Sequence, residues 1–136
     1  INWESINSLK DTRTDIWILI PTGVIVNRLL DKNCEFKHSE KLQSFFGLDE
    51  ETIKSIFYSK SIESTLFGPQ KTIKKISKPI EKIADVYIER LQTIWKNVTK
   101  KPLVLTNSRG VPIYHFVFAS NNKHAVKIAK EIISTI

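Results

Sequence analysis

The hydrophobic pattern of the chain is mainly helical, and it is clearest between Ser77 and Val98. Apolar residues recur there every three or four positions, which predicts one long amphipathic helix with a single buried face. Ser77 is a suitable N-cap, and Pro79 is tolerated in the first turn of a helix. The residues predicted on the buried face are Ile80, Ile83, Ala84, Tyr87, Ile88, Leu91, Ile94, Trp95 and Val98.

Shorter helices are predicted on both sides of the long one. Gly47 is a predicted left-handed C-cap, and Asp49 is the predicted N-cap of the helix that follows it. The segment from Ser59 to Ser77 has no regular period and is broken at Gly68. The predicted short helices cover residues 2–10, 24–30, 40–46 and 50–58, and a final helix follows Asn121 or Asn122.

Three segments have the pattern of strands. Ile16 to Ile20 is a continuous apolar run, which is typical of a strand covered on both faces in a parallel sheet. Leu103 to Thr106 and Ile113 to Ala119 are rich in β-branched and aromatic residues, and a polar turn joins them, which predicts a hairpin. The fold class predicted is α/β, with one parallel strand, a C-terminal antiparallel hairpin and a helical insertion.

The composition favours certain classes of partner and one cellular compartment. The net charge of +7 and the pI near 9.5 favour a phosphate-rich partner such as nucleic acid, although small basic domains without such a partner are common. Cys34 is the single cysteine, so an internal disulfide is excluded and a cytoplasmic location is expected. No apolar run approaches the ~20 residues that span a bilayer, and no signal peptide opens the chain, so no membrane contact is expected.

The sequence contains no recognisable catalytic or metal-binding signature. Phosphate-binding loops need clustered glycines, whereas Gly23, Gly47, Gly68 and Gly110 are isolated. The three histidines have no partner at ligand spacing, and His115 in the middle of a strand has the pattern of a buried sheet histidine. We therefore predict no catalytic residue, no metal ligand and no cofactor bound by this chain.

Candidate contact residues come from two arguments. In open α/β sheets ligands bind beyond the carboxyl ends of the parallel strands. If Ile16–Ile20 and Leu103–Thr106 are parallel neighbours, one sheet edge gathers the first set of candidates: Thr22, Asn27, Arg28, Asn107, Ser108 and Arg109. The second set would lie on one face if its segment were continuously helical: Lys71, Lys74, Lys75, Lys78 and Lys82. That face could contact a nucleic-acid backbone, or it could equally be a solvated surface.

Three passages resemble the three-Cys-motif partner protein family. The first runs Asp15-Ile-Trp-Ile-Leu-Ile-Pro-Thr-Gly-Val-Ile-Val-Asn-Arg-Leu-Leu30, and the second runs Ile113-Tyr-His-Phe-Val-Phe-Ala-Ser-Asn-Asn122. The opening Asn2-Trp3-Glu4 is similar to the segment that follows the family's Asp-Pro-Phe-Gly motif. The resemblance covers essentially the whole chain, but only the back half of a family member.

The resemblance implies the C-terminal half of a class I, S-adenosylmethionine-dependent methyltransferase-like protein with a Rossmann-like sheet, of bacterial origin and uncharacterised substrate. Ile16–Ile20 would be its fifth strand, and the hairpin its sixth strand and its reversed seventh. The motifs that bind the methyl donor would lie upstream, so no catalytic residue transfers to this chain. The absence of any Met, including at position 1, indicates that the chain is a fragment. Because the donor-binding motifs are missing, the fragment is expected to be inactive alone.

This interpretation divides the chain into three parts. Residues 1–36 and 77–136 would build the methyltransferase-like sheet, and residues 37–76 resemble an inserted helical module of winged-helix type that recognises nucleic acid. Three partners are open: nucleic acid, the missing N-terminal half or another chain that supplies it, and a second copy in a homodimer. The alternative to a methyltransferase half is a basic module that binds nucleic acid or protein without catalysis.

Overall fold

The computed structural model describes residues 2–31 and 34–135, apart from the side chains of residues 61–63, 65, 71 and 72. In chain order the elements are α1 (Trp3–Asn7), β1 (Ile16–Ile20), α2 (Thr22–Val24), which continues as a π-helical turn (Ile25–Leu29), α3 (Ser39–Phe46), α4 (Glu50–Phe57), β2 (Tyr58–Thr65), β3 (Gly68–Lys75), α5 (Pro79–Gln92), β4 (Asn97–Val98), β5 (Leu103–Thr106), β6 (Pro112–Ser120) and α6 (Lys123–Thr135).

Strand β6 is the centre of a four-stranded sheet. On one side all of β1 pairs with β6, from Ile16 opposite Ala119 to Ile20 opposite His115. On the other side β4 and β5 pair with successive parts of β6. The described residues contain both helices and strands, so the mixed α/β class is confirmed. All strand pairings among them are antiparallel, so the predicted parallel pairing is not shown.

The condition that β1 and β5 are neighbours is not met, because β6 lies between them. Both strands run antiparallel to β6, and they therefore run in the same direction as each other. Ile20 and Val104 both lie opposite His115, so the two strands are level and their carboxyl ends reach the same edge of the sheet. The alternation of a strand reveals its faces but not its partner, which is why the order was missed.

The predicted helical insertion is confirmed only in its first half. Helices α3 and α4 form as expected, with Gly47 at φ +65 as the C-cap and the Asp49 carboxylate accepting a 2.8 Å bond from the backbone N–H of Thr52. Residues 58–75 are not helical. They pair as a hairpin of two eight-residue strands, β2 and β3, in which Leu66 and Phe67 form the two-residue turn.

The long helix predicted from Ser77 to Val98 is shorter than expected. Helix α5 ends at Gln92, and Asn97 and Val98 instead form strand β4 on the edge of β6. Pro79 occupies the first turn as predicted, but the N-cap is Lys78, in a left-handed conformation. The indole N–H of Trp95 donates a 2.7 Å hydrogen bond to the Thr14 carbonyl, which ties the segment after α5 to the start of β1.

Helices α3 and α4 share a single core with the sheet. The Arg90 guanidinium of α5 donates to the backbone carbonyls of Phe46 and Gly47, at 2.9 and 3.0 Å, and so fixes the end of α3 against α5. The residues 37–76 therefore do not form a separately packed unit. Fully buried side chains of this common core include Ile20, Leu42, Phe46, Ile53, Phe57, Ile83, Tyr87, Leu91 and Val117.

Candidate functional site

Thr22 and His115 form a buried polar pair at the carboxyl end of β1. The Thr22 hydroxyl lies 2.8 Å from Nδ1 of His115, and neither residue is more than 3% exposed. Thr22 was a candidate ligand contact, and the structure places it inside the core instead. Burial lowers the pKa of His115, while the charges of Glu81 and Asp85 act in the opposite direction.

This pair makes stability depend on pH. The pKa of His115 is lower in the folded chain than its unfolded value of about 6.5. The contribution of neutral His115 to the free energy of unfolding is therefore complete above a pH of about 6.5. It is lost as the pH falls towards the folded pKa, because the unfolded chain binds the proton more tightly. We expect the thermal midpoint of the wild-type chain to fall by a few degrees between pH 7.5 and 5.5. The same fall in His115→Gln would contradict this.

The other edge candidates are exposed. Asn27 and Arg28 lie on the π-helical turn that follows β1. The Asn107 carboxamide accepts bonds from the backbone N–H groups of Arg109 and Val111, at 2.9 and 3.0 Å, so its side chain stabilises the turn. Ser108 and Arg109 are solvent-exposed in that turn. The carboxyl ends of β1 and β5, after which the two groups of residues follow in the chain, reach the same edge of the sheet.

The lysine candidates do not share a helix face. Lys71, Lys74 and Lys75 belong to β3, where the Lys71 side chain lies outside the described atoms, and Lys78 caps α5. The Lys75 ammonium donates a 3.1 Å hydrogen bond to the Val26 carbonyl and so holds the base of the hairpin to the π-helical turn. Lys74 and Lys78 are exposed.

The most unusual surface of the molecule is one that the sequence pattern did not predict. Strand β1 buries Ile18 and Ile20 on its inner face, but its outer face exposes Trp17 and Leu19 to 41% and 42%. The Trp17 ring stacks on Phe116, its diagonal neighbour across the strand pair, with the ring centroids 4.8 Å apart. The strand was expected to be covered on both faces, and only its inner face is fully covered.

Helix α6 covers part of this outer face. Its residues Val126 and Ala129 pack on Phe118 of β6. Ile128 and Ile132 lie four residues apart on another face of α6, and they are 57% and 48% exposed. Helix α6 therefore leaves apolar surface open both on itself and on β1.

The free side of β1 borders an apolar groove. Among the described residues β1 pairs with β6 alone, so its other edge carries backbone groups without a strand partner. A groove of about 640 Å³ lies beside it, lined mainly by Leu19, Pro21, Val24, Ile25, Leu29, Phe45 and Tyr114. Exposed edges are normally protected by charges, prolines or bulges within the strand. The five residues of β1 contain none of these.

Comparisons with family models, curated proteins and solved structures give no significant match to this chain. In the described residues no helix is long and apolar enough to cross a membrane. The same part of the chain contains no cluster of three or more potential metal ligands. The family resemblance therefore stays a prediction from sequence motifs.

Proposed function

We propose that this chain is the closing part of a larger methyltransferase-like α/β sheet, which is completed when a further strand pairs with the free edge of β1. The observation that carries the proposal is the unprotected apolar edge of β1, together with the exposed Trp17 and Leu19 beside it. An isolated domain that left this surface open would be prone to edge-to-edge association. A strand paired with the free edge of β1 would satisfy its backbone groups. Segments next to that strand would cover Trp17 and Leu19.

The arrangement of the strands supports the same proposal. The resemblance assigns β1, β5 and β6 to the fifth, sixth and reversed seventh strands of the sheet. Strands β1 and β5 run in one direction, and β6 runs against both and lies between them. A new strand on the free edge of β1 would extend the sheet in the direction where the first half of such a protein would lie.

The residues present do not fit the methyl donor, S-adenosylmethionine. A donor-binding loop needs glycines that leave room for the ligand beside the backbone. A side chain on Gly23 would meet the Pro112 carbonyl, and one on Gly47 would meet the Trp3 ring, so protein atoms already fill the space at both. Gly68 is the first residue of β3, and Gly110 lies in the turn between β5 and β6, so the two are far apart in the chain. Any donor site would belong to the segment that covers β1.

Two observations test this proposal. We expect no S-adenosylmethionine binding when this chain is titrated calorimetrically at micromolar concentrations, and micromolar binding would contradict the assignment. We also expect the reading frame upstream of the codon for Ile1 to encode a glycine-rich loop and an Asp-Pro-Phe-Gly motif. A stop codon directly upstream would overturn the idea of a half-sheet encoded in one gene.

The exposed edge also predicts self-association of the chain when it is studied alone. We expect light scattering to show concentration-dependent oligomers, and we expect Trp17→Lys with Leu19→Lys to weaken association at least about tenfold, since 1.4 kcal/mol is enough for that change. The matched control is Leu66→Lys with Phe67→Lys, which replaces one leucine and one aromatic residue at the hairpin tip and adds the same charge. A monomeric wild-type chain, or equal effects of the two pairs, would contradict the proposal.

A second candidate function is nucleic-acid binding by α3, α4 and the β2–β3 hairpin. Two helices separated by a three-residue turn that contains Gly47, followed by a hairpin, have the order of a helix-turn-helix with a wing. Recognition helices contact bases through their N-terminal residues. In α4 these positions hold Asp49, Glu50 and Glu51, whose charges would repel phosphates. This acidic start makes the second candidate weaker than the first.

A further inference from the structure

We propose that a cleft between β4 and α6 binds the phosphate backbone of nucleic acid. We call it the lysine cleft. It has a volume of about 710 Å³, and its cationic lining consists of Lys96, Lys100, Lys123, Lys127 and Lys130, with His124 at the start of the helix. None of these residues was a sequence candidate, because they come from separate segments. The inference does not depend on the methyltransferase proposal.

The helical half of the cleft is a fixed lysine stripe. Lys123, Lys127 and Lys130 are spaced four and three residues apart, which places them on one side of α6. The adjacent face of the helix is anchored, because Val126 and Ala129 are buried against Phe118. The stripe therefore has a defined orientation relative to the sheet.

The strand half of the cleft is anchored as well. Lys96 and Lys100 flank β4, whose Asn97 and Val98 pair with the end of β6. The backbone N–H of Lys96 donates a 3.0 Å hydrogen bond to the Asn121 carboxamide, just before α6 begins. The backbone segments that carry the two groups of lysines are thus anchored on opposite walls of one cleft.

The charge in the cleft is uncompensated. Gln92 and Asn97 are its other polar lining residues, and no Asp or Glu contributes to the lining. The ion pairs of Lys37 with Glu35 and of Lys54 with Glu50 both lie outside the cleft. Five ammonium groups around one cleft create a positive local potential, which attracts an anion.

Nucleic acid fits this arrangement better than a membrane surface does. The stripe from Lys123 to Lys130 extends about 10 Å along the helix, and a strand of duplex DNA carries one phosphate per about 3.4 Å of axis, so three lysines face about three phosphates. A lipid surface would need the lysines and the exposed apolar side chains to meet one plane. Ile128 and Ile132 instead lie away from the lysines, on a different face of α6.

The test measures binding of fluorescent 20-nucleotide RNA and 20-base-pair DNA by anisotropy at several salt concentrations. Neutralising five phosphates gives a loss of roughly 500-fold in duplex affinity between 50 and 200 mM salt. The variant Lys123→Glu, Lys127→Glu and Lys130→Glu should reduce the salt slope by about three units. Comparing RNA with DNA shows which nucleic acid the cleft prefers.

The matched control is Lys10→Glu, Lys37→Glu and Lys41→Glu, three exposed lysines outside the cleft. Each variant changes the net charge by −6, from +7 to +1. Loss of binding in the cleft variant alone supports the inference, and equal loss in both variants overturns it by showing bulk charge attraction. Lys123→Gln, Lys127→Gln and Lys130→Gln repeats the test with a smaller change if the glutamates impair folding.

Three further results would also overturn the inference. The first is the absence of salt-dependent binding to either nucleic acid. The second is loss of binding only in Lys60→Glu with Lys74→Glu, which would place the nucleic acid on the hairpin. The third is binding to vesicles of 30% phosphatidylserine that is tighter than binding to nucleic acid and is abolished by the cleft variant.

Discussion

Gly47→Ala should lower the free energy of unfolding by about 2–5 kcal/mol, the sum of a left-handed backbone penalty and an overpacking penalty. Gly47 has φ +65, a conformation that alanine adopts at a cost. A Cβ at this position would also overlap the ring of Trp3, which is 3% exposed. The indole cannot easily move, because the Tyr87 ring meets it edge-on and the Arg90 guanidinium lies 4.7 Å above it.

Gly110→Ala separates the two penalties. Gly110 has φ +76, but no atom lies within 4 Å of the position that its Cβ would take. We expect it to cost only the backbone penalty of about 1–2 kcal/mol. Urea denaturation of both variants measures the difference. If both variants lose the same stability, Trp3 is not packed against the C-cap of α3 as described.

Phe46→Ala should lower the free energy of unfolding by about 3–5 kcal/mol, the usual cost of removing a buried aromatic ring. Phe46 is fully buried. Its ring centroid lies 4.9 Å from that of Phe45, 5.6 Å from that of Phe57 and 6.5 Å from that of Tyr87, so it joins α3, α4 and α5. The total stability of a domain is typically about 5–15 kcal/mol, so this loss would leave the chain partly unfolded near physiological temperature.

The same variant tests whether α3 and α4 are integral to the fold. Because they share one core with the sheet, we expect circular dichroism and tryptophan fluorescence to report one coincident unfolding transition. Phe67→Ala, at a side chain that is 92% exposed, is the control and should change stability by less than about 0.5 kcal/mol. Two separate transitions would indicate that residues 37–76 fold independently of the sheet.

Local patterns in the sequence were sufficient for most of the individual elements. The apolar run Ile16–Ile20 is a strand, and the spacing around Gly47 and Asp49 gave both caps and both helices. These features depend on residues within one or two turns of each other. The hairpin strands β5 and β6 and the final helix were also found, because turn residues and helical periodicity separate them clearly.

The features that were missed depend on contacts distant in sequence. Nothing in the pattern of β1 indicates that β6 would separate it from β5, or that its outer face would remain open. The lysine cleft was missed for the same reason, since Lys96 and Lys127 meet only because β4 and α6 flank the end of β6. In residues 58–75 the alternation of apolar and polar residues is too weak to distinguish a hairpin from irregular structure.

The pairing of β1 with β6 has a consequence for the synthesis of the protein. Ile16 pairs with Ala119, so the ribosome must add about 100 residues after the first strand before its partner exists. At roughly 5–20 residues per second this takes about 5–20 s. Throughout that interval the side of β1 that later pairs with β6 has no strand partner, and its five consecutive apolar residues offer a binding segment to a co-translational chaperone.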